Sequence, residues 1–251
     1  MTRTLTRTHL NSSRLIRILA DLALLEEAGP MNAFAEKLGL WVDFADAIAL
    51  SAAHTTGAAV APRKSSLKRA SAEVDLVGEF ERVRITLVQA IVPGGASKGV
   101  KNRIAWPTPQ RGATAEELAH YEPYRRYHLA HQRDMDLAVR ALRARLRDAV
   151  SQISPSLKHL AALDAAFDAI LNEREGRLLA TLPSLMEKRF RQLLSASAAT
   201  PGETSHGGCH PRFLGELQAV LLAELDVRLQ PALGILEAFQ SEKQQNLEPQ
   251  V

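Results

Sequence analysis

Aromatic side chains make up only 5% of the 251 residues, and cysteine occurs once, at Cys209. A single cysteine excludes an intramolecular disulfide and suits a reducing compartment, so a cytoplasmic location is the expectation. Few aromatics leave few platforms on which nucleic-acid bases could stack. Long apolar runs are missing too: no window approaches the about 18 uncharged apolar residues of a membrane span, so the chain is not expected to be membrane-spanning. The first residues place basic groups before an apolar stretch, as a secretory signal would. Arg14, Arg17, Asp21, Glu26 and Glu27 interrupt that stretch and no small-residue cleavage site follows, so it reads as a soluble helix. Strong charge of one sign is also lacking. The balance of 31 Lys and Arg against 28 Asp and Glu gives a formal charge of +3, far from a dedicated nucleic-acid binder.

What is abundant is Ala and Leu, with Arg and Glu between them, within an apolar content of 46%. This bias towards helix formers predicts an all-α fold: an elongated bundle of long amphipathic helices with coiled-coil-like seams. Helices of about thirty residues would reach roughly 45 Å.

An N-terminal helical hairpin is expected over residues 11–53. Its first arm starts at Asn11 or Ser12, carries Leu15, Ile18, Leu19, Leu22 and Leu25, and stops at Gly29. Its second arm restarts at Pro30 with a seam of Phe34, Leu38, Trp41, Ala45, Ile48 and Ala52, of which Phe34, Trp41 and Ile48 are expected to be buried. A linker follows at 54–71, then a helix at 72–92 with Leu76, Phe80, Val83, Leu87 and Ile91 on one face, then an aperiodic basic loop at 93–113.

Long charged helices are expected over 114–197, opened by a capping pair of Thr114 and Glu117. Their first seam runs through His128, Met135, Leu142 and Ala149, with Tyr124, His131 and Ala138 beside it. Ser154 and Pro155 start the next helix, whose apolar positions are Leu160, Leu163, Phe167, Ile170 and Leu178; Pro183 breaks or bends it. A loop at 198–210, a C-terminal helix at 211–240 kinked by Pro231, and a flexible tail at 241–251 complete the chain.

Three groups of residues raise the question of chemistry. His206, Cys209 and His210 place three metal-ligand types within five residues, but the rest of a zinc motif is missing, so the segment reads as a loop. An activated Cys209 thiolate is the second reading, because a helix N-terminus just beyond it would lower its pKa. His128 and His131, three residues apart, could share a face with Asp134 or Asp136; such residues more often belong to the rim of a charged helix. The loops at 63–69 and 98–111, with Arg125, Arg126, Arg140, Arg143, Arg145 and Arg147, could reach phosphates, yet Glu122, Asp134, Asp136 and Asp148 interleave with the helical arginines as on a salt-bridged face. The stretch "VPGGASKG" fails the spacing of a phosphate-binding loop.

The blocks "LNSSRLIRILADL", "FAEKLGLWVDFADAIALSAA", "PYRRYHLAHQRDMDLAVRALRARLRDAV", "LAALDAAFDAILNEREGRLLATLPSLMEKRF" and "LQAVLLAELDVRLQPALGILEAF" resemble the bacterial family called domain of unknown function 3348. The resemblance supplies no activity, catalytic residue or cofactor. It implies at most a cytoplasmic partner of an envelope assembly containing MotA/TolQ-type channels and OmpA-like proteins.

The function expected is that of a non-enzymatic helical interaction or scaffold protein, binding a protein partner or a second copy through helical seams. The candidate interaction residues are Leu217, Leu221, Leu225 and Leu229, the apolar stripe of the last helix. The alternative is a nucleic-acid or anionic-surface binder using the basic loops with Arg140, Arg143 and Arg147. No catalytic residue, metal or cofactor is assigned.

Overall fold

A computed structural model describes residues 13–24, 44–58, 75–92, 106–107, 119–198 and 209–247. They form α1 (Arg14–Asp21), α2 (Phe44–Ala58), α3 (Leu76–Ile91), α4 (Glu122–Ser151), α5 (Pro155–Leu179), α6 (Leu182–Ala198) and α7 (Cys209–Leu247), with no strand among the described residues. The chain is all-α.

The helices divide between two compact units. The first comprises Met1–Ala28, Val88–Asp134 and Thr181–Val227; the second comprises Gly29–Leu87, Met135–Ala180 and Arg228–Val251.

In the first unit α1 stops at Asp21, eight residues short of the expected Gly29. The stop is a Schellman turn in which the Ala23 N–H donates to the Ala20 carbonyl at 2.9 Å and the Leu24 N–H to the Leu19 carbonyl at 3.0 Å. Ala23 takes the left-handed position at φ 54° that glycine usually fills. Leu15, Leu19 and Leu22 are buried.

Tyr121, Tyr124, Phe190 and Phe213 form an aromatic cluster in this unit. Tyr124 and Phe213 meet edge to face at 5.2 Å, and Phe190 and Phe213 at 5.0 Å, with Tyr121 and His210 against them. Each such pair adds about 1 kcal/mol beyond the area it buries. The Tyr121 hydroxyl donates to the Pro183 carbonyl at 2.7 Å. Pro183 is the second residue of α6, where its missing N–H costs no helix bond, so the chain breaks at Ala180–Thr181 just before it.

The second unit packs Leu76, Phe80 and Leu87 of α3, Met135, Val139, Leu142, Leu146 and Val150 of α4, Leu157 and Ala161 of α5, and Leu229, Ala232, Ile235 and Leu236 of α7. Asp75 caps α3 by accepting from the Gly78 N–H at 2.8 Å, and Ser154 caps α5 by accepting from the Leu157 N–H at 3.1 Å. Helix α2 packs on α5. The side of α2 that loses solvent is Asp46, Leu50 and Ala53, so Ile48 lies opposite and is 55% exposed instead of buried. Phe34 and Trp41 lie outside the described residues, as does the capping pair Thr114 and Glu117.

Other boundaries shift as well. Helix α2 runs through the first residues of the expected linker to Ala58, and α7 begins at Cys209 and ends at Leu247, so it includes part of the expected loop and tail. It passes through Pro231 without interruption.

Candidate functional site

Two polar clusters stand out, one in each unit. In the first, α4 turns His128, His131 and Gln132 inward while α7 supplies Glu224, and Glu224 and His128 are both 0% exposed. The Gln132 amide donates to both Glu224 carboxylate oxygens, at 3.0 and 3.2 Å, and the His128 Nε2–H donates to Oε2 at 3.3 Å. With that tautomer the His128 Nδ1 faces the interior. It and the His131 Nε2 are buried with no hydrogen-bond partner among the described residues. Burial, aided by the neighbouring His128, lowers the His131 pKa from 6.5 to about 4. The Tyr127 ring stands edge-on to His131 at 4.4 Å, and its hydroxyl donates to the Ile91 carbonyl at 3.2 Å. A carboxylate buried this deeply is tolerated because several donors reach it.

In the second unit α4 and α5 are clamped by charge. Arg143 grips Asp164 with two parallel bonds, Nε to Oδ2 at 2.8 Å and Nη2 to Oδ1 at 2.7 Å, and reaches Asp168 Oδ1 through Nη1 at 2.7 Å. Arg147 Nη1 also donates to Asp164 at 3.2 Å and to Asp168 at 2.9 Å. Paired forks of this kind are the stronger class of ion pair, and here all four side chains are largely shielded from water. Beside the clamp is a half-open pocket of about 30 Å³, lined among others by Asp136, Arg140, Arg143, Asn172, Glu175 and Arg228. Burial raises the Glu175 pKa above the usual carboxylate range, against the opposing pull of Arg228 and Arg143.

The residues singled out from sequence fall as follows. Leu217 and Leu221 are 0% exposed, Leu225 1% and Leu229 4%, so the candidate interaction stripe is interior in this chain. Arg143 and Arg147 are held by the clamp, and Arg140 is exposed and paired with Asp136 at 2.8 Å.

Cys209 and His210 open α7 and are buried. Burial raises the Cys209 thiol pKa, the opposite direction from the activated-thiolate reading. His206 lies outside the described residues, and Asp134 is exposed. Asp136 pairs with Arg140 and Arg228. Among the described residues no three of His, Cys, Asp and Glu gather as a metal-binding group.

Sequence reasoning missed Gln132, Glu224, Asp164, Asp168 and Glu175. A signal existed for the acids of α5: Asp164, Asp168 and Glu175 share the helical spacing of the buried Leu157, Ala161 and Leu179, so they lie on the face turned inward. Glu224 had a weaker one, an acid within the otherwise apolar stretch "AVLLAEL".

No curated protein and no solved structure matches this chain. A family model described as a protein of unknown function, DUF3348, matches residues 1–241, and the chain belongs to that family.

Proposed function

We propose that the protein is a non-enzymatic helical interaction or scaffold protein, and that the surface it offers is the flank of α5. The observation that supports this is an apolar stripe about a quarter turn from the charged inward face of that helix. Leu160, Leu163, Phe167, Leu171 and Leu178 follow one another at helical spacing, with Phe167 45% and Leu178 54% exposed. Large apolar side chains in a row cost free energy in water and gain it against another helix. Further exposed apolar groups on the same unit include Leu137 at 61% and Ile85 at 48%.

The occupant proposed is a helix of a second copy or of a protein partner. A cytoplasmic place beside an envelope assembly is part of the same proposal. No described helix is long and apolar enough to cross a membrane. Phe167→Glu combined with Leu178→Glu tests the surface. The double variant should keep wild-type helical circular dichroism and lose association in sedimentation velocity. Undiminished association in the variant would remove α5 from the interface.

A further inference from the structure

Helices α2 and α5 bring two histidines together at their contact. The rings of His54 and His159 have centroids 5.6 Å apart and are tilted by 48° to one another. Imidazole is the commonest protein ligand for divalent transition metals. Two imidazoles bound to one tetrahedral ion, with metal–nitrogen bonds of about 2.0–2.1 Å, hold their ring centroids roughly 5 Å apart. The observed spacing is a few tenths of an ångström from that arrangement, within the reach of small side-chain rotations.

A second observation points the same way. The His159 Nδ1 is buried and has no hydrogen-bond partner among the described residues. An interior ring nitrogen without a partner is costly, and ligation by a metal would satisfy it. His54 is exposed, so the remaining positions of a shared ion would open to water.

We propose that His54 and His159 form a two-histidine site for a divalent ion of the zinc, nickel or copper class, which fastens α2 to α5. Nitrogen ligands suit those metals over magnesium or calcium. With water completing the coordination, binding is weaker than at a four-ligand structural zinc site and the ion exchanges readily. Because the metal bridges two helices far apart in sequence, it stabilises the folded chain by mass action.

The test is calorimetric titration of the full chain with zinc alone, paired with thermal unfolding at increasing zinc. Wild type is expected to bind with a midpoint shift that vanishes on adding chelator. His54→Gln, a substitution at an exposed position, and His159→Gln should each weaken binding at least tenfold and abolish the shift. Equal zinc affinity in wild type and in His54→Gln would overturn the site, since another histidine would then be the ligand. Absence of zinc binding by the folded wild type would overturn it too.

Discussion

Ala23 holds the left-handed position of the Schellman turn that ends α1, at φ 54°. An L-residue there costs about 1–2 kcal/mol, part of which glycine would return as extra freedom in the unfolded chain. Ala23→Gly should therefore stabilise the protein by about 1 kcal/mol in urea denaturation, and a loss of stability would refute the assignment of the turn. His131 gives a pH-dependent counterpart. Its pKa falls from 6.5 unfolded to about 4 folded, so the folded protein keeps the ring neutral where the unfolded chain takes up a proton. Its contribution is whole above 6.5 and is lost as the pH falls from there to about 4, a change of about 3 kcal/mol. Glu216 adds to acid lability. Burial alone would raise its pKa, but hydrogen bonds from Arg189 and Arg212 overcome that and hold it below the ordinary value. Its share is present above the unfolded pKa and is lost as the pH falls through the lower, folded one. Denaturation from neutral to mildly acidic pH should thus show a slope that flattens in His131→Leu; an unchanged slope would assign the effect elsewhere. His128 and His131 are visible in the sequence as a pair of histidines, but Glu224, which His128 meets from nearly a hundred residues away, is not. Periodicity says which face a residue occupies and nothing of what faces it.

Among the elements, α4 and α5 show why an apolar pattern alone misplaces a face. In α3 the expected face and the buried one agree at Leu76, Phe80, Leu87 and Ile91, because the charges there point outward. In α4 the seam is legible at His128, Met135 and Leu142, while Val139, Leu146 and Val150 beside it are hidden amid arginines. In α5 the inward face carries Asp164 and Asp168, which are tolerated there because Arg143 and Arg147 meet them, and the apolar pattern points to the flank instead. The clamp gives a sharp contrast between two arginines one turn apart. Arg143→Ala should destabilise the protein by about 3 kcal/mol, because it strands shielded carboxylates. Arg140→Ala, which removes an exposed i,i+4 pair, should cost no more than about 0.5 kcal/mol. Equal effects in guanidinium denaturation would show that the clamp is not structural. Arg143→Lys should fall between the two, since an ammonium cannot reproduce the paired hydrogen bonds to Asp164.

For the molecule as a whole, composition suffices for the all-α class: helix formers dominate, and the described residues are helical apart from caps and turns. The division into two units is not legible, because α3, α4 and α7 each contribute residues to both and periodicity gives no sign of where one core ends. The last helix shows the consequence most plainly. Its stripe is the most regular apolar pattern in the chain, and it is consumed in the interior from Phe213 to Leu236. The surface proposed for a partner is the less regular flank of α5, and Arg140, Arg143 and Arg147 are engaged with carboxylates. Association should then be apolar in origin and insensitive to salt, whereas phosphate contacts weaken steeply as salt rises. The most direct measurement is light scattering on the chromatographed protein at low and high salt, with absorbance at 260 nm recorded on the same peak. Self-association through the α5 flank predicts a species larger than the 27.5 kDa chain that persists at high salt and carries no nucleic acid. A 27.5 kDa monomer under both conditions, or an assembly that holds nucleic acid at low salt and falls apart at high salt, would contradict it.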